Sequence, residues 1–312
     1  MKMKKTTEFY IDRIGRSLDY ICQNLNQHIS LDKLAEVACF SPFHFHRIFR
    51  GLTGETVADL IRRLRLEYAY HLLTQGHLDV TQTAFEIGYE NLESFSRAFK
   101  KYFGFNPSHL LAHDIKTGPY NFGNYAVRAE FSPLKLTFEP VIKESPMNVT
   151  IKEIKSHPIV YIHHVGPYNE VGNVFKQLLP WAGSRGYIKR DTAIYGFSWD
   201  DPSVVPAHQL RYDAAFSINN EKDIKIEPPM KFGTFPGGYW AITRHQGSYT
   251  KIGNIFQQMI GSWLPQSPYL IDNERPCLDI YLNSWTNTPE PDLLTDLCIP
   301  LQKSSVQDIK SN

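Results

Sequence analysis

A chain of 312 residues exceeds the ~100–200 typical of one domain, so two domains are expected. With 42% hydrophobic and 13% aromatic residues it can bury real cores, which excludes wholesale disorder. Its 33 Lys and Arg against 32 Asp and Glu exclude any nucleic-acid reading from bulk charge, so placement must carry that case.

No apolar run approaches the ~20 residues of a membrane helix, so no membrane partner is expected. The start, Met1 to Glu8, has basic residues but no apolar stretch behind them and does not read as a signal peptide. Four scattered cysteines (Cys22, Cys39, Cys277, Cys298) form no C-x-x-C pair, against a disulfide framework or a zinc site. A cytoplasmic protein without metal or cofactor is the expectation.

The first ~112 residues read as helical. Ile11, Ile14, Leu18, Ile21 and Leu25 recur at three- and four-residue steps, the mark of an amphipathic helix. Ser30 before Leu31, and Ser41-Pro42, are helix starts, and a long helix runs from about Glu55 to Gln75, stopping at Gly76. The pattern then returns. Phe45, Arg47, Phe49 and Gly54 recur fifty residues on as Phe95, Arg97, Phe99 and Gly104, while Ala35 and Phe40 recur at forty-nine as Ala84 and Tyr89. A short helix, a tight turn and a second helix ending at Gly make a helix-turn-helix, here in two copies.

The second helix of such a unit enters the DNA major groove. In the first copy Phe45, Ile48 and Phe49 are the inward face, leaving Phe43, His46, Arg47 and Arg50 on the outer side. In the second the outward set is Leu92, Glu93, Ser96, Arg97 and Lys100. His44 and His46, two apart on a helix, and His163 and His164, adjacent on a strand, do not converge on an ion, so no metal site is expected.

Residues ~8–112 resemble the AraC-type DNA-binding domain. The resemblance rests on Ile29 to Ala35, Ser41 to Phe49, Gly54 with Arg62-Arg63-Leu64-Arg65, and Ala84-Phe85-Glu86-Ile87-Gly88-Tyr89 running on through Ser94 to Gly104. It implies that Phe43, His46 and Arg47 contact bases, with Leu92, Glu93, Ser96 and Arg97 in the corresponding places. Arg50, Arg62, Lys100 and Lys101 then meet phosphates.

The second half is rich in Tyr, Trp, Pro and Gly. A connector at 113–147 contains the strand-like Lys135 to Glu139. From Val149 a repeat spaced by 81 residues follows: His164-Val165-Gly166-Pro167-Tyr168 matches His245-Gln246-Gly247-Ser248-Tyr249, and Gly172 to Gln177 matches Gly253 to Gln258. Each copy reads as strand, Gly turn, helix and two strands. The expected fold is therefore multidomain: an all-α double helix-turn-helix domain (8–112), then an α+β domain (148–303) of two tandem strand-helix-strand-strand repeats. A cleft at the seam between repeats is where a ligand is expected.

Residues 148–301 resemble the GyrI-like effector-binding domain, and the two domains in this order resemble the Rob-like regulators. The resemblance implies an acidic residue of the penultimate strand facing the cleft and pairing with cationic ligands, a position held here by Asp279, one methylene shorter than the usual Glu. Tyr281 shares its strand face, and Phe197, Trp199, Tyr168 and Trp240 are candidate aromatic walls. The expected partners are promoter DNA, RNA polymerase and a small cationic or amphipathic effector, the protein acting as an activator. A hydrolase using Asp279 with Tyr281 is one rival reading of this domain, a protein-docking module another. No residue reads as catalytic in the favoured reading.

Overall fold

The computed structural model describes residues 5–76, 78–112, 123–131, 133–142, 147–220, 222 and 224–305. The turns Gly118-Pro119 and Ser145-Pro146 of the connector lie outside the described residues. The chain forms two compact units, 8–142 and 143–312, the second including residues 1–7.

Among the described residues the first unit holds seven helices: α1 (Lys5–Gln23, in this unit from Glu8 onward), α2 (Leu31–Val37), α3 (Pro42–Thr53), α4 (Val57–Gln75), α5 (Val80–Glu86), α6 (Leu92–Phe103) and α7 (Ser108–Ala112). Local chemistry sets their ends. Ser30, Ser41, Thr56, Asp79 and Asn91 each accept a backbone N–H three residues on, and Asp79 with Gln82 completes a reciprocal capping box. Gly54, Gly76 and Gly104 close α3, α4 and α6 in the left-handed conformation.

The two spacings of the helical repeat now have a cause. The left-handed turn residues Cys39 (φ 52°) and Gly88 (φ 81°) are 49 apart, whereas the caps Ser41 and Asn91 are 50 apart. Glu90 is the extra residue. At Gly88 a Cβ would stand 2.3 Å from the Asn26 carbonyl oxygen, so glycine is needed there for two reasons. The long helix α4 carries two arginines that staple the unit. Arg65 donates to the carbonyls of Leu25, Gln27 and Gly88. Buried Arg63 meets Glu55 at 2.6 Å, Glu67 at 3.2 Å and the Val127 carbonyl at 3.0 Å.

Val127 opens a two-stranded hairpin, β1 (Val127–Phe131) with β2 (Leu134–Phe138), so the strand expected near Lys135 is present. This hairpin belongs to the first unit, which therefore reaches past Ala112 to Ile142.

Among the described residues the second unit holds one antiparallel sheet of eight strands: β3 (Thr150–Ile154), β4 (His157–Val165), β5 (Ile194–Ser198), β6 (Arg211–Ser217), β7 (Lys231–Phe235), β8 (Gly238–Gln246), β9 (Cys277–Tyr281) and β10 (Leu294–Leu301). Their spatial order is β3-β8-β10-β9-β5-β6-β4-β7. Helix α8 (Val171–Ser184) follows β4. Helix α9 (Ile252–Gln258) follows β8, continuing through a π-helical turn, Met259–Trp263, into α10 (Leu264–Gln266).

The expected strand-helix-strand-strand repeats are thus β4-α8-β5-β6 and β8-α9-β9-β10. Each is also preceded by a strand the alternation pattern did not reveal, β3 and β7, themselves 81 residues apart. The lead strands are exchanged: β3 pairs with β8 of the second copy and β7 with β4 of the first. The order reads the same from both edges, and the seam is the β5–β9 pair, where Gly196 stands directly opposite Asp279.

Strand parity divides the side chains between two faces. Val160, Ile162, Tyr212, Ala214 and Phe216 pack under α8 with Val174, Phe175 and Leu178. Ile159, Tyr195, Phe197, Phe235, Trp240, Ile242 and Leu278 form a separate core on the other face. Among the described residues no helix is long and apolar enough to cross a membrane, and no three His, Cys, Asp or Glu gather as a metal site.

Candidate functional site

The helix-turn-helix copies present their second helices differently. On α6, Leu92, Glu93, Arg97, Lys100 and Lys101 are exposed and Ser96 is half-buried. Arg97 pairs with Glu93 one turn earlier at 3.3 Å. On α3 only Arg50 of the expected outer set is exposed. Phe43, His46 and Arg47 are 8%, 1% and 4% exposed, against the expectation of a solvent-facing side. Part of the reason is local, since the Arg47 guanidinium lies over the Phe43 ring at 5.0 Å and Phe43 packs edge-on against His44. Arg62 is exposed and held by Asp59 at 2.8 Å.

In the second unit the seam carries a single buried carboxylate. Asp279 is 3% exposed, and Tyr212 on β6 donates to its Oδ2 at 3.3 Å. The Tyr212 and Tyr281 hydroxyls lie 2.8 Å apart. Among the described residues Asp279 Oδ1 has no hydrogen-bond partner. Burial pushes this carboxyl up to about 7, against the small opposing effect of the Tyr212 bond. Aromatic rings cluster around its strand neighbour Tyr281. Phe175 meets Tyr281 and Trp285 edge-on at 5.3 Å, and Tyr249 meets Tyr281 at 5.5 Å. The Tyr249 hydroxyl, raised to about 12 by burial and by Asp279, is also buried without a partner.

The duplication explains why there is one carboxylate and not two. Register makes Gly196 the counterpart of Asp279, and the two face each other across the axis. A Cβ at Gly196 would lie 1.6 Å from the Tyr212 hydroxyl oxygen, so glycine is what lets Tyr212 reach the carboxylate. The alternative partners of Asp279 are engaged elsewhere: Arg211 with Asp200 at 2.7 Å and Arg244 with Asp296 at 2.6 Å.

Of the six expected ligand residues, Asp279, Tyr281 and Tyr168 come together, Tyr168 lying edge-on to Tyr212 at 5.7 Å. Phe197 and Trp240 do not join them. Each points to the opposite face of the sheet, one residue out of phase with the cluster, and is buried in the other core. Trp199 is also elsewhere, 37% exposed, with its indole N–H donated to Asp213 at 2.7 Å; the other Asp213 oxygen lies 2.6 Å from His163 Nδ1.

Residues the sequence reading did not place in the site are Tyr212, Tyr249, Phe175, Trp285 and Gly196. Tyr249 had a signal, as the repeat partner of Tyr168. A cavity of about 250 Å³ opens instead at the end of α8 between Arg185, Tyr187, Lys189 and Asn219, and Asp279 does not line it.

A double helix-turn-helix unit followed by a duplicated α+β unit with a carboxylate at its seam defines a two-domain class, a nucleic-acid-reading module joined to a ligand-binding one. The family comparison agrees. Residues 147–302, half of the chain, match the GyrI-like small molecule binding domain, and the chain belongs to that family; residues 34–113 match a helix-turn-helix domain of AraC type.

Among curated relatives, the HTH-type transcriptional activator AarP of Providencia stuartii is 32% identical over 105 residues, 34% of this chain and 78% of AarP. The multiple antibiotic resistance protein MarA of Salmonella typhimurium is 28% identical over 113 residues, 35% of this chain and 89% of MarA. The regulator YbfP of Bacillus subtilis is 33% identical over 99 residues but is spanned over only 34% of its length. The crystal structure of the EcmrR C-terminal domain aligns at a TM-score of 0.40 and 15% identity, covering 51% of this chain and 99% of that one.

Proposed function

We propose that the chain is a cytoplasmic, sequence-specific transcription activator that senses an organic cation. In this reading α3 and α6 enter adjacent major-groove segments of promoter DNA. Phe43, His46, Arg47, Ser96 and Arg97 read or abut bases, and Arg50, Arg62, Lys100 and Lys101 hold phosphates. The covered state of Arg47 means that it must be released before its guanidinium can fork onto a guanine. RNA polymerase is the partner that an activator requires.

The observation that carries the sensing role is Asp279 Oδ1, a buried carboxylate oxygen without a partner among the described residues, beside Tyr212 and the aromatic cluster of Tyr168, Tyr249, Tyr281, Phe175 and Trp285. A buried unpaired acceptor costs free energy that a cation would recover, and ring faces add quadrupole attraction. In this reading the site binds its ligand and does not turn it over.

Calorimetry of the full chain with a series of aromatic and aliphatic cations tests this, with Asp279→Asn alongside. Saturable binding lost in the variant supports it. Binding indifferent to the variant, or hydrolysis of a bound ester by the wild type, would contradict it.

A further inference from the structure

Buried polar groups near the seam are unevenly satisfied between the two copies: the first leaves His164 Nε2 unpartnered, whereas its counterpart His245 lies 2.9 Å from the Ser248 carbonyl, and the second leaves three oxygens unpartnered among the described residues. In the first copy Tyr168 is locked into backbone, its single O–H shared between the Asp200 and Arg211 carbonyls at 2.9 and 3.1 Å and its oxygen accepting from the Asp200 N–H at 3.1 Å. Its counterpart Tyr249 has a buried hydroxyl with no partner. Tyr212 in the first copy bonds Asp279 and Tyr281, whereas register makes its counterpart Thr295, fully buried, with Oγ1 unpartnered. Thr295 stands directly across from Tyr281 and so shares the face that holds Asp279. Three orphaned oxygens, Asp279 Oδ1, Tyr249 Oη and Thr295 Oγ1, therefore lie on the second copy's side of the axis. The helix over that side also departs from its twin: α8 is regular to Ser184, while α9 opens into the π-helical turn Met259–Trp263, a form frequent at functional sites.

Building on the cation-sensing reading, we infer that this site selects a primary ammonium, whose three N–H donors meet Asp279 Oδ1, Tyr249 Oη and Thr295 Oγ1, over a quaternary ammonium of equal charge. A quaternary nitrogen satisfies the aromatic rings and the charge but leaves two hydroxyls buried and unpaired, and buried polar groups left unpaired are strong grounds for discrimination. A compact –NH3+ group also asks less displacement of the rings clustered around Tyr281.

The test uses the full chain at pH 8 and matched pairs of probes sharing one tail: benzylammonium with benzyltrimethylammonium, phenylethylammonium with its trimethyl analogue, dodecylammonium with dodecyltrimethylammonium. Titration calorimetry is expected to give at least ten-fold tighter binding for the primary member of the pair that binds best. Tyr249→Phe and Thr295→Val, each verified as folded by thermal melting, are expected to shrink that ratio, and Asp279→Asn to lose both members. A ratio near one, or one favouring the quaternary probe, overturns the inference while leaving the cation reading intact. Absence of binding by every pair overturns both.

Discussion

Asp279 sits above its ordinary carboxyl range because burial disfavours its charged form, and stability must follow pH accordingly. Its folded pKa of about 7 exceeds the ordinary value of 3.8, so between those values the folded chain binds more protons than the unfolded one. Stability contributed by the protonated group is present below pH ~4, falls as pH rises through the window and levels off above about 7. Asp279→Asn has no charge to bury. It is expected to match the wild type near pH 4 and to be more stable at pH 8 by up to about 4 kcal/mol, read from urea unfolding at each pH. A constant difference across the range would contradict the assignment. Cation binding carries the opposite sign, since the ligand prefers the ionised carboxylate: affinity is expected to rise between pH 6 and 8. Gly196 belongs to the same scale. Gly196→Ala drives a methyl into Tyr212 and severs its bonds to Asp279 and Tyr281, at an expected cost of about 2–3 kcal/mol.

Among the elements, α6 offers the cleanest test of DNA contact because its polar face is open. Lys100→Ala should weaken DNA binding on all sequences and lower the salt slope by about one, whereas Arg97→Ala should weaken binding and relax sequence preference where it reads a base. Glu93→Ala should strengthen binding several-fold at low salt, since it removes an anion from the groove face and frees Arg97 from its 3.3 Å pair. Anisotropy titrations over a salt series read all three, and a Glu93→Ala variant that binds more weakly would place that residue in base recognition instead.

Much of the element pattern was legible in the sequence because it is written by local chemistry. Caps at Ser30, Ser41 and Asn91, the glycines after α3, α4 and α6, and both repeat spacings mark the elements without any tertiary information. The lead strands β3 and β7 were not legible: each is five residues long, and what defines it is a pairing with the other repeat. Phe197 and Trp240 show the other limit. Their aromatic character fits a ligand wall, but which face a strand residue takes depends on register, and a one-residue difference in phase sends both to the opposite core.

At the scale of the whole molecule, the sequence shows an all-α part followed by an α+β part, whereas the state of each is not legible in it. That Phe43, His46 and Arg47 are covered while α6 is open follows from tertiary packing, which no periodicity encodes. If an ammonium at Asp279 changes DNA affinity by some factor, DNA must change ammonium affinity by the same factor, so the coupling can be measured from either side.

The most direct measurement of the central claim is DNA binding by the full-length chain. Fragments from its own upstream region would be titrated across a salt series beside unrelated fragments of equal length, with the wild type, Arg47→Ala and Arg97→Ala compared. The account predicts selective binding that weakens steeply with salt, loses selectivity in Arg47→Ala and weakens in Arg97→Ala. Weak binding, equal on all fragments and unchanged by both substitutions, would contradict it.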